Sequence, residues 1–454
     1  MKVFNTLSGK KESLPRVKRF NLFVCGPTVY DYSHIGHART YIAFDAIVRY
    51  LRSQKINIFY LQNITDIDDR IIDRAHERGL TPKSLAKEFE KAYYQDMKTI
   101  GVTAVDKYAR ATDYISAIVK QVKKLIKKGY AYEIPGDGWY FDLSTFPDYG
   151  KLSHRTALQA NDSISRIDAS DKKRNTGDFC IWKFSKENEP SWKTELGAGR
   201  PGWHIEDTAI SESFFGPQYH LHGGAVDLKF PHHEAEIAQQ ESASGKKPFV
   251  KIWMHTGFLL VNGEKMSKSL GNFTTIRDFL KNYSPEILRI MILSYHYRSP
   301  VDYTETLAGN SKKNIADIKE FLAKLALITN TKKSTKFSTT KPEKEFHAAM
   351  KDDFNTPKAI AAIFEFMNET NKIIWGLSKA QAKEAAKFIG NALKSLGFRL
   401  HTTQIPLKIA KLSRQRELFR GNKQFAQADA LRKEIEALGF NIEDTPAGPL
   451  VFHN

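Results

Sequence analysis

The chain has 454 residues, 41% of them hydrophobic and 26% charged, which predicts a globular protein of two to four domains. No apolar run reaches membrane-spanning length, no signal-peptide core is visible at the start, and two cysteines are too few for a disulfide framework, so we expect no membrane contact and a cytoplasmic location. The formal net charge of +18 favours a polyanionic partner, most often nucleic acid, unless basic surfaces are general in the source proteome.

The first 75 residues predict a βαβ unit. RFNLFVCGPTVY indicates a strand that ends at a Gly-Pro break, and YIAFDAIVRYLRSQ carries apolar residues at helical spacing. INIFYLQNITDIDDRII indicates a second strand, then polar residues and a new helix. Such units build parallel sheets that hold ligands at the carboxyl ends of their strands.

The predicted secondary structure changes twice in the middle of the chain. Residues 75–130 are predicted to be mainly helical, and GYAYEIPGDGWYFDLSTF indicates strands and turns. A stretch rich in Gly, Pro and charge follows, as expected of an inserted surface region. QYHLHGGAVDLKF and WMHTGFLLVNGEKMSKSLGNF then return to strands with glycine turns.

The last part of the chain is predicted to be helical from about residue 305. Residues 329–344 are polar and basic without a period, so we expect a loop or linker there. Asn355 before Pro357 predicts a helix start. Residues 413–440 predict two amphipathic helices broken at Gly-Asn, and a hairpin is expected at the end.

The segment CGPTVYDYSHIGHART, residues 25–40, collects a thiol, two imidazoles and a guanidinium. These groups suit a metal site, acid–base catalysis or phosphate binding. His34 and His37 are three residues apart, so on the first turn of a helix they share a face. Gly36 between them lets the backbone approach a ligand, and helix N-termini favour phosphate.

The segment KMSKS, residues 265–269, places Lys265 and Lys268 three residues apart in a glycine-flanked loop. Together with the paired histidines, these lysines predict a clamp for a triphosphate, because donors placed in advance stabilise charge that develops on oxygen. Each motif alone also fits a purely structural role, as a helix cap or as a solvated loop.

The two motifs in this order resemble those of class I aminoacyl-tRNA synthetases, and the whole chain resembles the cysteinyl-tRNA synthetase family. The resemblance covers nearly the whole chain and rests on the segments CGPTVYDYSHIGHART, NITDIDD, GRPGWHIE, FPHHEAEIAQ, KMSKSLGN, DDFNTP and ADALR. It implies an α/β fold class, with a Rossmann-type catalytic domain interrupted by a connective insertion and followed by an all-α anticodon-binding domain. It also implies activation of L-cysteine by ATP, accompanied by Mg²⁺, and transfer of cysteine to the 3′ end of tRNA-Cys.

The resemblance implies five segments along the chain. They are residues 1–120, the first half of the catalytic domain; 121–200, the connective insertion; 201–260, the second half; 261–330, the KMSKS loop and stem-contact region; and 331–454, the helical anticodon-binding domain with its hairpin. Basic residues beside Phe419 and Phe425 in the last segment suit phosphate contact and base stacking, and equally suit a solvated helix face. Nothing demands more than a monomer.

The resemblance also implies roles for individual residues. His34, His37, Lys265 and Lys268 form the catalytic set, in which the imidazoles stabilise the pentavalent phosphorus and Lys268 reaches the phosphates. Gly223 and Gly224 would let adenosine lie against the backbone, although Ala225 replaces the usual third glycine. The full substrate- and ATP-binding set is Gly26, Thr28, Gly36, Trp203, Gly223, Gly224, Asp227 and Lys268, in which Asp227 binds the ribose.

A metal site would explain how cysteine is separated from serine. Cysteine and serine differ only by sulfur in place of oxygen, and the shape of a pocket discriminates between such small groups by only about 1–3 kcal/mol. Zinc, in contrast, binds thiolate strongly and a neutral hydroxyl poorly. The resemblance implies one Zn²⁺ per chain, and Cys25, His232 and Glu236 match three of its ligands. Asp207 stands where the family has a second cysteine.

This departure leaves three hypotheses for the metal. Zinc is held by all four residues, or by the other three with water, or the metal is absent and Asp207 pairs with a base or a substrate amine. We predict the first, with a harder and more Lewis-acidic site than two thiolates would give. His233 is expected beside the ligands rather than among them.

Three other functions fit parts of the sequence. A cysteine ligase with a small amine or amino-sugar acceptor would share the catalytic half but would not need the helical C-terminal part. A nucleotidyltransferase with a related histidine motif would be much shorter. A catalytically inactive RNA-binding paralogue would not need the intact histidines and lysines.

Overall fold

The computed structural model describes residues 1–155, 170–266, 271–331, 336–399 and 405–453. The chain divides into two compact units, the first made of Met1–Asn282 with Tyr297–Asp302 and the second of Tyr283–His296 with Tyr303–Asn454. The histidine motif and the lysine motif both fall in the first unit.

The first unit contains the βαβ unit that the sequence predicts near its start, and it also contains runs of consecutive strands. The strands, the last of which ends at the unit boundary, are β1 (Lys2–Asn5), β2 (Lys10–Ser13), β3 (Phe20–Val24), β4 (Ile58–Ile64), β5 (Lys107–Arg110), β6 (Ala131–Ile134), β7 (Gly138–Phe141), β8 (Phe179–Phe184), β9 (Trp192–Thr194), β10 (Gly197–Pro201), β11 (Tyr219–Ala225), β12 (Val250–Thr256), β13 (Leu259–Val261), β14 (Glu264–Lys265) and β15 (Val301–Tyr303). The helices are α1 (Ile35–Ser53), α2 (Asp69–Glu77), α3 (Pro82–Thr99), α4 (Ile115–Lys127), α5 (Ile205–Phe215), α6 (His232–Ser244) and α7 (Ile276–Asn282).

The central sheet has the strand order β12-β11-β3-β4-β5, and all neighbouring strands are parallel. Its middle strand β3, with the sequence FNLFV, is almost fully buried, as strands covered on both faces are. The order reverses beside β3, because β4 and β5 lie on one side and β11 and β12 on the other. Open parallel sheets bind ligands outside the carboxyl ends of their strands at such a reversal. The predicted Rossmann-type α/β fold is thereby confirmed.

A second sheet lies between the two halves of the first in the sequence. Its order is β6-β7-β8-β10-β9, and its neighbouring strands are antiparallel. Aromatic side chains pack inside it; the rings of Phe141 and Phe179, for example, stack with centroids 5.1 Å apart. The apolar residues around Cys180 in the segment DFCIWKF predict a small buried side chain. On β8 it is 2% exposed and packs with apolar neighbours, which confirms this.

The second unit is helical apart from a terminal hairpin. Its elements are α8 (Pro285–Leu293), α9 (Glu305–Leu327), α10 (Thr340–Lys351), α11 (Thr356–Asn371), α12 (Lys379–Ser395), α13 (Leu407–Gly421), α14 (Phe425–Ala437), β16 (Phe440–Thr445) and β17 (Gly448–His453). Asn355 caps α11 and accepts a hydrogen bond from the backbone of Lys358, as the sequence predicts. The break after α13 and the antiparallel hairpin are also confirmed.

One local prediction is wrong and another is confirmed. The segment 329–344 is not a linker throughout, because α10 begins at Thr340, where Pro342 and Glu343 favour the first turn of a helix. Residues 75–130 are mainly helical, as predicted, and the short strand β5 between α3 and α4 adds an edge strand to the central sheet. No helix in the described part of the chain is both long and apolar enough to cross a membrane.

Candidate active site and metal centre

The paired histidines form the N-terminal cap of α1. Nδ1 of His34 accepts a hydrogen bond from the backbone N–H of Gly36 at 3.0 Å, and Nδ1 of His37 accepts one from the backbone N–H of His34 at 3.3 Å. The two imidazole rings stack with centroids 3.9 Å apart. A Cβ at Gly36 would lie 2.7 Å from Cε1 of His34, so a larger residue here would displace the His34 ring.

The hydrogen bonds fix the protonation of these rings. A ring nitrogen that accepts an N–H carries no proton, so each neutral imidazole holds its proton on Nε2. Burial lowers the pKa of His37 well below its usual range, and the neighbouring His34 adds to this shift. At neutral pH, His37 is therefore an uncharged N–H donor.

The histidines line a cavity of about 350 Å³ at the carboxyl edge of the central sheet. The cavity brings together eleven of the residues that the sequence predicts for the site: Cys25, Gly26, Thr28, His34, Gly36, His37, Trp203, Asp207, Asp227, His232 and Lys265. Lys265 lies at the end of β14, with Nζ 4.8 Å from the ring centroid of Phe258. Lys268 lies outside the described residues.

The glycines near the end of β11 serve packing within the protein. A Cβ at Gly223 would lie 2.2 Å from the ring of Phe44, and a Cβ at Gly224 would lie 2.8 Å from the ring of His233. Ala225, one residue further along, lines the cavity. The predicted contact of both glycines with adenosine stays a prediction.

Gly26 marks the closest backbone approach in the cavity wall. Its N–H donates to the side-chain oxygen of Asn63 at 2.5 Å, and a Cβ there would lie 1.7 Å from the backbone oxygen of Asn63. Arg39, also singled out in this segment, points elsewhere. It is buried and donates to the backbone oxygens of Tyr297 and Ser299 at 2.9 and 3.1 Å.

Four buried side chains from three segments meet at the base of the cavity. Cys25 follows β3, Asp207 lies in the first turn of α5, and His232 and Glu236 lie one turn apart on α6. One potential ligand atom from each lies within 4.8 Å of the others, and none of the four residues is more than 4% exposed. Nε2 of His232 is 3.1 Å from Oδ2 of Asp207 and 3.1 Å from Oε1 of Glu236, and Sγ of Cys25 is 3.7 Å from the same Glu236 oxygen.

The electrostatics of this cluster favour a bound cation. Burial raises the pKa of Cys25 well above its usual range, and the charges of Glu236 and Asp207 raise it further. Burial lowers the pKa of His232, but hydrogen bonds to Asp207 and Glu236 outweigh burial and raise it to about 10. Oδ1 of Asp207 and Oε2 of Glu236 are buried and accept no hydrogen bond from any described residue. A cation there would satisfy both oxygens.

A second set of donors shares two members with the first. Sγ of Cys25 is 3.2 Å from Nε2 of His222 and 3.1 Å from Nε2 of His233, and with Glu236 these residues form another group whose ligand atoms lie within 4.8 Å. His233 therefore lies beside the predicted ligands. His222 was not predicted, because a histidine within the strand YHLHGGA gives no local indication of a site.

Three further residues in the cavity wall were not predicted. Tyr30, Asn63 and Arg70 line the cavity, and the Arg70 guanidinium lies 5.9 Å from the ring centroids of both Tyr30 and Trp203. Thr65, in the segment NITDIDD, also lines the cavity and donates to the buried carboxylate of Glu206.

Comparisons with known proteins agree with this site. Residues 12–313 match the family described as tRNA synthetases class I (C) catalytic domain, and residues 345–401 match the DALR domain. The matched DALR region ends before the segment ADALR at residues 428–432.

Curated relatives align over the whole chain. Cysteine--tRNA ligase of Thermococcus gammatolerans is 42% identical, covering 99% of this chain and 98% of the relative. Cysteine--tRNA ligase of Thermoplasma volcanium is 43% identical, with 98% of each covered.

Solved structures show the same fold at low identity. Methionyl-tRNA synthetase of Mycobacterium tuberculosis in complex with methionyl-adenylate superposes with a TM-score of 0.62 at 16% identity, covering 84% of this chain and 90% of that one. With the catalytic-domain match over more than half of the chain and curated relatives above 40% identity over nearly all of it, the chain belongs to the cysteine--tRNA ligase family of class I tRNA synthetases.

Proposed function

We propose that the chain is a cysteine–tRNA ligase, which activates L-cysteine with ATP to cysteinyl-adenylate and transfers the cysteinyl group to the 3′ end of tRNA-Cys. The observation that carries this proposal is the meeting of His34 and His37 with the Cys25 cluster at one cavity. Whole-chain relatives named Cysteine--tRNA ligase support it.

In the activation step, a carboxylate oxygen of cysteine attacks the α-phosphorus of ATP, and diphosphate leaves. Negative charge grows on the phosphate oxygens during the attack. The Nε2–H groups of His34 and His37 donate to these oxygens without a change of protonation, because Nδ1 of each ring is already committed to the backbone. Lys265 and Lys268 add positive charge for the leaving diphosphate, and Mg²⁺ accompanies ATP.

Cys25, Asp207, His232 and Glu236 would hold one Zn²⁺ per chain. One sulfur, one imidazole nitrogen and two carboxylate oxygens are all ligands that zinc accepts. We favour this set over the one with His222 and His233 because Asp207 and His232 line the cavity that the substrate enters. The ion supplies strong binding of the substrate thiolate and weak binding of a hydroxyl, which selects cysteine over serine.

His204 and Trp203 keep His232 in place for this role. Nδ1 of His204 lies 2.8 Å from Nδ1 of His232, which leaves Nε2 of His232 directed at the two carboxylates. The Trp203 ring stacks on His232 with centroids 4.7 Å apart.

The metal part of the proposal is tested by elemental analysis of purified protein. Wild type is expected to carry one zinc per chain, and Asp207→Ala and Cys25→Ser are expected to lose most of it. Cys180→Ser is the matched control, because Cys180 is equally buried but packs among apolar residues. His222→Asn is expected to retain zinc. Equal zinc in wild type and Asp207→Ala would remove Asp207 from the ligand set.

The reaction is tested by cysteine-dependent exchange of diphosphate into ATP, followed by charging of tRNA-Cys. We expect both activities. Exchange without charging would favour the ligase with a small amine or amino-sugar acceptor, but the DALR match in the second unit argues against that enzyme. The proposal includes stem contact by residues 261–330, anticodon binding by residues 331–454, a monomer and a cytoplasmic location.

A further inference from the structure

A groove rich in lysine lies on the first unit, formed by α4 and β9. We define the lysine groove by Lys120, Lys123, Lys124 and Lys127 of α4 and Lys193 of β9, which line a depression of about 910 Å³. The opposite face of α4 buries Ile118, Val122 and Leu125 in the core, so the lysine face is fixed toward the outside.

Most of the positive charge in the groove is not neutralised. Lys123 pairs with Glu195, and Nζ of Lys124 lies 3.0 Å from Oε1 of Glu212. Lys120, Lys127 and Lys193 are exposed and make no ion pair within the described ranges. Glu195 is the one acidic residue among those that line the groove.

Helix stability accounts for only part of this arrangement. Cations in the last turn of a helix interact favourably with its dipole, which explains Lys124 and Lys127. Lys120 is too far from that end, and Lys193 lies on a strand. Lysines three and four residues apart on one helix also repel each other, so the row carries an electrostatic cost that the fold does not require.

The dimensions of the row fit a nucleic-acid backbone. Lys120 and Lys127 are seven residues apart, which is about 10 Å along a helix axis. That length spans about three nucleotides of one strand in a duplex. Lysine ammonium groups bind phosphates as point charges and do not read bases, so such a surface adds affinity without sequence preference.

We propose that the lysine groove is an RNA-phosphate docking site, which holds backbone phosphates of the tRNA during charging. The proposal rests on the proposed function for its choice of RNA, and it adds a binding surface away from the cavity. The proposal is based on the three described lysines without acidic partners, the shape of the groove and the net charge of +18.

The test compares two charge-matched variants of the full chain. The groove variant is Lys120→Glu with Lys127→Glu and Lys193→Glu. The control variant changes Lys83, Lys87 and Lys91 of α3 to Glu; these are also exposed and without an ion pair in the described part of the chain. Each substitution changes the charge by two, so both variants go from +18 to +12.

Binding of a tRNA-Cys transcript is measured by filter binding over a series of salt concentrations. The groove variant is expected to bind about tenfold more weakly near physiological salt. The slope of log K against log salt is expected to fall by about 2 to 3, because three phosphate contacts contribute roughly 0.7–0.9 each. The KM for tRNA should rise in parallel, while cysteine-dependent exchange of diphosphate, which needs no tRNA, should stay at the wild-type rate.

Several results would overturn the proposal. These are an unchanged Kd and salt slope in the groove variant, an equal loss in the control variant, or weaker binding to anionic lipid vesicles with unchanged RNA binding. If the wild type binds the transcript but fails to charge it, the proposed function fails while the groove comparison still stands. Replacement of the same three lysines by Gln removes charge without reversing it, and this milder variant gives the same comparison if the Glu variant does not fold.

Discussion

Mild acid should destabilise the first unit, because it buries neutral histidines. His204, His222, His233 and His255 are all at most 5% exposed. Burial lowers the pKa of each; the pKa of His255 falls to about 3, and those of the other three fall well below the usual range. An unfolded histidine titrates near 6.5, so below that pH the unfolded chain binds protons that the folded chain does not. The stability present above pH 6.5 is therefore lost as the pH falls.

The expected size of the effect follows from linkage. Each such histidine contributes about 1.4 kcal/mol per pH unit below its unfolded pKa. Between pH 6.5 and pH 5 this is roughly 2 kcal/mol for each group. Burial raises the pKa of Glu206 and Glu236, so these carboxyls take up protons in the folded protein over the same range and offset part of the histidine effect. A typical domain has only about 5–15 kcal/mol of stability, so we expect a measurable loss of stability in the metal-free first unit by pH 5.

Urea unfolding of metal-free protein at several pH values measures this slope. His255→Gln should reduce it by about 1.4 kcal/mol per pH unit, because glutamine can keep bonds to His233 and Thr6 without titrating. His76→Gln, at an exposed position of α2, is the matched control. Identical slopes for wild type and His255→Gln, or stability that does not change between pH 6.5 and pH 5, would refute the reasoning.

Three further predictions concern the site and the second unit. Gly36→Ala should lower the rate of cysteine-dependent diphosphate exchange about 100-fold with the fold intact, because the added methyl displaces the ring of His34; a near-normal rate would contradict this. Asp444→Asn should destabilise the second unit by about 1–3 kcal/mol and weaken tRNA binding, because it leaves the fully buried Arg416 without the carboxylate that it binds at 2.6 and 2.9 Å; unchanged urea unfolding would argue against it. Zinc at about 1,000 times its Kd should stabilise the protein by about 4 kcal/mol in thermal unfolding, and a chelator should reverse the gain, whereas Cys25→Ser should show neither change.

Local pattern was sufficient for the central βαβ unit. A short apolar strand, a Gly-Pro break and apolar residues at helical spacing predicted β3 and α1, and His34 lies at the cap where the motif places it. The strand β5 was missed because its sequence, KYAR, is short and charged, as an edge strand is. Its pairing with β4 depends on a neighbour more than forty residues away, which no local window contains.

The metal cluster required information that local pattern does not carry. The spacing of His232 and Glu236 predicts one shared helix face, but nothing in the sequence alone brings Cys25 or Asp207 to that face. The resemblance to a family supplied this, and the four side chains do meet. His222 and His255 escaped prediction because their roles arise from contacts with residues distant in the sequence. His222 contacts Cys25 just after β3, and His255 contacts His233 on α6.

In the first turn of α1, the same two side chains affect both the rate of the reaction and the stability of the fold. The two imidazoles that would act on ATP also accept hydrogen bonds from backbone N–H groups of that turn. A mutation at either position is therefore penalised twice, once in the stability of the helix start and once in the rate of the reaction. Few substitutions at these two positions are neutral, so a variant that loses its activity here also loses stability at the start of α1.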